Sequence, residues 1–289
     1  MSEPKRHRSV SDAAAVVRGT ARARDYDRFL AALLAKEPGR SRLMAIAAFA
    51  GEIAHIPQAV REPMMGEIRL QWWRDAFQGG LAGAASGNPV ADALGEVMRE
   101  LRLPPPLVSG LIDAQSAVLA REPVADGAAL RSQLARTEGA VFTLGARVLG
   151  AAHSDALEQT AAAAGQALGL MRLLLRLPRD PAAGAVRLPL ADPARHDTGL
   201  QSRDEGHAAL SARIGELSAK ASAELAMARS ALAGLPAAIR PAFLPLALIE
   251  PSIAALKRRK DAVFRGEDVD LLPLQHVWHI GRAHLLGRI

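Results

Sequence analysis

Glu52 and His55 stand three residues apart, a spacing that sets a carboxylate and an imidazole on one face of a helix. Glu-x-x-His steps of this kind hold di-iron centres in helical bundles. Such a centre needs a second step and two further glutamates placed to meet it, and neither is evident in the sequence. No metal is therefore assigned to the step. His276, His279 and His284 recur near the C-terminus and read as core or surface residues of one helix. The run Lys257-Arg258-Arg259-Lys260 reads first as a solvated face and second as a patch that would rest on anionic lipid. The sequence has no cysteine, which removes thiolate metal sites, iron–sulfur clusters and a cysteine nucleophile. It also has no Gly-rich phosphate loop, no Gly-x-Ser-x-Gly turn and no His-Glu-x-x-His step.

The elements that must position these residues are helices. Apolar residues recur at helical spacing through Phe29, Leu30, Leu33 and Leu34, then through Leu43, Ile46, Phe49 and Ile53, where Pro57 is expected to end the segment. Met65, Ile68, Trp72 and Phe77 mark the next helix, with Trp72 and Phe77 read as core. Further segments run through Val90 to Leu101, Leu107 to Val118, Leu130 to Val148 and Ala161 to Leu177. An Asp/Pro/Gly-rich loop is expected up to about Gly206, followed by a clean stripe from Leu210 to Leu232. From Pro236 to Phe264 the pattern stays helical but is punctuated by Pro241, Pro245 and Pro251, and a last helix follows Pro273. No stretch alternates with period two, so the expected fold class is all-α. Residues 1–20 read as a basic, flexible arm without an apolar signal core, and 21–289 as one helical domain.

Composition narrows the partners. The chain has 289 residues and a formal charge of +6, enough length for a substantial core and a charge that suits anionic ligands. Aromatics are only 3% of the chain, too few to build the stacking platforms of a single-strand binder, so nucleic acid is not expected. No run is expected to span a membrane.

Two segments carry a resemblance. One reads Ala-Ile-Ala-Ala-Phe-Ala-Gly-Glu-Ile-Ala-His-Ile from Ala45, followed by Gly-Glu-Ile-Arg-Leu-Gln-Trp-Trp-Arg-Asp-Ala-Phe up to Phe77. The other reads Gly-Gln-Ala-Leu-Gly-Leu-Met-Arg-Leu-Leu-Leu-Arg-Leu-Pro-Arg-Asp from Gly165 to Asp180 and continues to Arg187-Leu188-Pro189. Together they resemble the squalene/phytoene synthase family, head-to-head prenyl transferases. The resemblance implies a single helical bundle of the isoprenoid-synthase type with a central cavity. Active members carry two Asp-rich motifs, because a diphosphate leaving group needs Mg²⁺ and Mg²⁺ needs carboxylates. In this sequence the first motif's aspartates would fall on Ala54, His55 and Gln58, leaving Glu52 as the acid one turn earlier. The second motif would fall on Arg172, Leu175, Arg176 and Asp180, of which Asp180 alone is acidic.

Packed as in that family, Arg172 and Arg176, which lie four apart on one helix face, would point toward the former metal site. Two outcomes follow: an ion pair with Glu52 that plugs the cavity, or direct capture of an anionic head group by guanidinium. Arg69 and Trp73, one turn apart, would join the cavity or simply stack on each other. Candidate cavity residues are thus Glu52, His55, Arg69, Trp73, Arg172, Arg176 and Asp180, with no catalytic residue and no metal ligand assigned.

The Phe49-to-Ile56 stretch, the Ile68-to-Trp73 block and the Leu271-Leu-Pro-Leu…Trp278 ending are most similar to a divergent subgroup that includes a mitochondrial respiratory complex I assembly factor and its α-proteobacterial relatives. The implied function is a scaffold or assembly role on a disabled synthase fold, without a cofactor and with complex I subunits as partners. The alternative is a prenyl transferase or isoprenoid-diphosphate binder with an arginine-modified site, which would take Mg²⁺. Either way a prenyl diphosphate or an anionic lipid is an admissible ligand. The expected location is the cytoplasm, or the mitochondrial matrix in a eukaryote, with peripheral contact to the inner membrane.

Overall fold

A computed structural model describes residues 3–120, 124, 126–176, 203–259, 262–263, 265 and 267–289. Every regular element among them is helical, so the all-α expectation holds. By contacts the chain divides into two compact units. The first comprises Met1–Ala120, Val141–His153 and Pro236–Leu244, and the second Arg121–Ala140, Ser154–Leu235 and Pro245–Ile289.

The first unit contains α1 (Glu3–Arg24), α2 (Tyr26–Leu33), α3 (Gly39–Ala59), α4 (Pro63–Leu81), α5 (Pro89–Glu100), α6 (Pro106–Leu119), nearly all of α8 (Ala140–Val148) and the short α11 (Arg240–Phe243). Helix α3 is its axis. Ala45 through Ala50 and Ile53 are all buried, a helix apolar on every side and therefore enclosed by others. Pro57 does not end α3, as its type suggests, but sits inside the last turn, and the chain leaves the helix at the extended Val60. A proline clashes with the carbonyl four residues back and removes one backbone hydrogen bond, and α3 runs only two residues beyond it. Asn88 caps α5 by accepting hydrogen bonds from the amides of Val90 and Ala91, with Pro89 in the first turn, where no amide donor is needed. The basic segment expected as an arm over residues 1–20 forms most of α1 in the structure. Val17 is buried and Ala21 fully so, which gives that helix a packed side.

The second unit is built on α9 (Asp155–Arg176) and α10 (Arg203–Leu232), with α7 (Gly127–Leu134), a π-turn over Ala135–Gly139, α12 (Ile249–Arg258) and α13 (Pro273–Leu286). Of the predicted stripe, Ile214, Leu217, Ala221, Ala228 and Leu232 are buried along α10, as is Leu225, and α10 packs against α9.

Among the described residues one stretch, Ala237–Arg258, is long and apolar enough by composition to cross a membrane, which corrects the expectation that none would be. Two thirds of its 18 most apolar consecutive residues are buried in the protein (67%), and it alternates 3₁₀ and α turns around Pro241, Pro245 and Pro251. These are the properties of a core segment.

Candidate functional site

Glycine decides where the charged residues meet. At Gly51 on α3, a Cβ would lie 2.5 Å from the Cβ of Arg24, so only glycine lets the last turn of α1 rest on α3 at this point. That contact brings Arg24 Nε to 3.5 Å from Oε1 of Glu52. In the second unit the same device recurs more tightly. A Cβ at Gly165 of α9 would lie 2.2 Å from the amide nitrogen of Gly139, at the end of the π-turn. The approach sets Glu138 against Arg172, whose Nη1 donates to Oε1 at 3.0 Å and to Oε2 at 3.2 Å. Both side chains are largely buried, 21% and 17% exposed, so this pair works in a poorer dielectric than a surface bridge.

An ion pair of Glu52 with Arg172 or Arg176 is one of the two outcomes the resemblance allows. Within its own unit Glu52 lies beside Arg24, and within the other Arg172 lies beside Glu138. Arg176, the last residue of α9, is exposed. Asp180 lies outside the described residues. His55 is half-buried on α3 beside Glu52, and Gln58, one turn on, donates its side-chain amide to the Ala54 carbonyl at 2.9 Å. Arg69 is exposed, whereas Trp73 is buried, its ring packed edge-on against Phe49 at 5.3 Å and against Trp72 at 5.2 Å. The rings that hold Trp73 are thus aromatic neighbours. Phe77 is core, as predicted, but Trp72 is 41% exposed and belongs to the surface. Of the C-terminal histidines, His276 is buried 3.6 Å from Asp270, His279 is half-buried and His284 exposed. Burial, and then the charge of Arg282, hold the His279 imidazole below its ordinary pKa. Lys257, Arg258 and Arg259 are exposed.

One buried charge pair had no place among the candidates. Asp25 caps α2 through the amide of Arg28 and takes that residue's guanidinium at 2.7 Å. The two are 5% and 8% exposed, and the guanidinium carbon lies 5.2 Å over the ring of Phe142. Beside Arg28 is a cavity of about 20 Å³ lined by Leu43, Ile46, Val141 and Gly145, room for one water molecule. It cannot take an isoprenoid chain. The i, i+3 acid–arginine spacing between aromatics was the one signal in the sequence for this pair.

The pattern of the family described as squalene/phytoene synthase matches residues 21–275. This chain belongs to the squalene/phytoene synthase family. The family member's fold is similar to that of squalene synthase HpnC from Alicyclobacillus acidocaldarius, with a TM-score of 0.71 at 18% identity, covering 86% of this chain and 94% of that one. A dehydrosqualene synthase solved in complex with ligand gives a TM-score of 0.74 at 14% identity, over 97% and 99% of the two chains. At these identities the likeness concerns the fold. Among curated sequences the chain is similar to proteins named NADH dehydrogenase (ubiquinone) complex I, assembly factor 6. The Mus musculus protein is 25% identical over 239 residues, 82% of this chain and 72% of its own. The Homo sapiens protein is 24% identical over 258 residues, 88% and 77%.

The family's diphosphate chemistry rests on Mg²⁺, an ion that takes six oxygen ligands and is held by carboxylates. Among the described residues no group of three or more His, Asp or Glu that could hold a metal ion occurs. Glu52 shares its surroundings with a guanidinium, and Arg172 and Arg176 carry positive charge on α9.

Proposed function

We propose that this chain is a non-catalytic member of the squalene/phytoene synthase family that serves as an assembly factor for respiratory NADH dehydrogenase, complex I. The observation that carries the reading is similarity over 82% of the chain to proteins named as assembly factor 6 of that complex, with 72% of their length matched. The site chemistry agrees with it. At the positions where the resemblance would put the metal-binding Asp and Asn residues, this chain has Ala54, His55 and Gln58 on α3, Arg172 and Arg176 on α9, and the single acid Asp180. In this reading the protein needs no cofactor, its partners are complex I subunits, and it works at the inner membrane, on the matrix face in a eukaryote or the cytoplasmic face in a bacterium.

Two experiments test the proposal. Deletion of the gene, followed by native-gel quantification of assembled complex I, is expected to show a deficit that the wild-type gene restores. Normal assembly refutes the role. Incubation of purified protein with farnesyl or geranylgeranyl diphosphate and Mg²⁺ is expected to yield no squalene, phytoene or pyrophosphate. Turnover would establish the prenyl-transferase alternative instead. Saturable binding of a prenyl diphosphate without Mg²⁺, lost in Arg176→Ala, would make the protein an isoprenoid-diphosphate binder.

A further inference from the structure

Helix α13 (Pro273–Leu286) is held by one side only. His276, Ile280 and Ala283, spaced four and three apart, are buried. The opposite side is apolar and open. Leu274 is 78% exposed, Val277 46%, Trp278 64% and Leu285 84%. With Gly281, these residues fall at spacings of three, one, three and four, which is a single stripe on a helix of 3.6 residues per turn. The stripe runs about 16 Å, at 1.5 Å per residue. Soluble surfaces expose single apolar residues freely, but a contiguous band of Leu, Val and Trp marks a contact surface.

Charge selects what that surface meets. From Leu271 to Ile289 the chain contains no Asp or Glu, and its charged residues are Arg282 and Arg288, both exposed. Arg282 and His284 stand on the two flanks of the stripe, on either side of Gly281 and Leu285. A second copy of this helix would bring no carboxylate side chain to meet Arg282 or Arg288. An anionic bilayer offers the complement on both counts, with acyl chains for Leu274, Trp278 and Leu285 and phosphates for the arginines. The indole suits the boundary between the two layers. At 14 residues the helix extends about 21 Å, too short to cross a hydrocarbon core of about 30 Å, so it would lie in the plane of the interface. Lys257, Arg258 and Arg259, exposed in the same unit, add charge of the same sign.

We infer that the exposed face of α13 is a docking surface for an anionic lipid bilayer, with Leu274, Trp278 and Leu285 inserted at the level of the headgroups and Arg282 on their phosphates. The inference stands apart from the assembly role, since vesicle binding is measured without complex I.

The test is sedimentation of the full chain with vesicles of phosphatidylcholine alone and of phosphatidylcholine mixed with phosphatidylglycerol. Wild type is expected to partition onto the mixed vesicles, and less with added salt. The triple variant Leu274→Ser/Trp278→Ser/Leu285→Ser, whose changes are all exposed and leave the packed side intact, is expected to lose at least tenfold in partition. Arg282→Gln should lose about fivefold, the usual worth of one basic residue at such a surface. A second reading needs no destabilised variant: lipids brominated on the acyl chain should quench wild-type tryptophan fluorescence, and Trp278→Phe should abolish the quenching. Absence of partition onto anionic vesicles, partition unchanged in the triple variant, or quenching that survives Trp278→Phe would each overturn the inference. A dimer that the triple variant dissociates, without vesicle binding, would assign the face to a second copy instead.

Discussion

Gly165→Ala probes the contact that places Glu138 on Arg172. In an unobstructed helix this change is favourable by about 1 kcal/mol, because glycine gives up more backbone freedom on folding than alanine. Here the new methyl would stand 2.2 Å from the Gly139 nitrogen, 2.4 Å from its Cα and 3.0 Å from the Glu138 carbonyl carbon. All three are backbone atoms, so no rotamer change relieves the clash. Restoring an ordinary 3.4 Å contact requires α9 and the π-turn to part by about 1.2 Å. Overpacking of that kind costs about 1–3 kcal/mol even where side chains share the strain, and separation also stretches a largely buried ion pair. The net expectation is destabilisation by about 2 kcal/mol or more. Gly215→Ala is the internal control, because its Cβ on α10 meets nothing within 4 Å. That variant should gain about 0.5–1 kcal/mol. Urea unfolding followed by far-ultraviolet circular dichroism reads both, and the two variants should straddle the wild type by about 3 kcal/mol. If Gly165→Ala is as stable as Gly215→Ala, the close approach does not set the geometry of the pair and the reasoning fails.

Three further outcomes follow from the same contacts. Trp73→Ala should cost about 3–5 kcal/mol, as for a buried ring, whereas Trp72→Ala, at a site 41% exposed, should cost much less; comparing the two by denaturation distinguishes core from surface. A double-mutant cycle on Glu138→Gln and Arg172→Met should give a coupling of about 1–3 kcal/mol, and a coupling near zero would mean that the pair is held by its surroundings. The hydrogen bonds from Arg229 hold the Glu250 carboxyl below its ordinary value of 4.5. A depressed folded-state pKa adds stability that is complete above the unfolded value and is lost as pH falls through the folded one. Arg229→Met should therefore flatten the acid limb of a stability–pH curve below about pH 4.5 and leave the neutral region's slope unchanged.

Much of this fold was legible because helices announce themselves locally. The 3.6-residue spacing from Ile214 to Leu232, the proline cluster at the start of α6 and Pro273 at the start of α13 needed no partner to be read. Pro57 misled because its effect depends on its place in the last turn, which spacing alone does not define. The candidate site divides along the same line. Asp25 and Arg28, three apart, carried a local signal, although nothing in the sequence said that both would be buried, with Arg28 over the ring of Phe142. Glu138 and Arg172 lie 34 residues apart, and what joins them is a pair of glycines whose meaning appears only when two backbones touch. Trp72 and Trp73 are adjacent in sequence, so one must turn outward when the other is packed, and the apolar pattern could not choose which.

The π-turn at Ala135–Gly139 amounts to one residue too many in an otherwise continuous run of helix from Gly127 to Val148. Each added residue advances a helix by about 100°, so the surplus shifts the phase of everything after it. Deleting Arg136 would return the run to regular α-helix, a local improvement. It would also rotate Glu138 away from Arg172 and leave both charges to find new company. The irregularity is therefore an insertion that the fold cannot discard by a single step, because the helix would be mended at the expense of the pair.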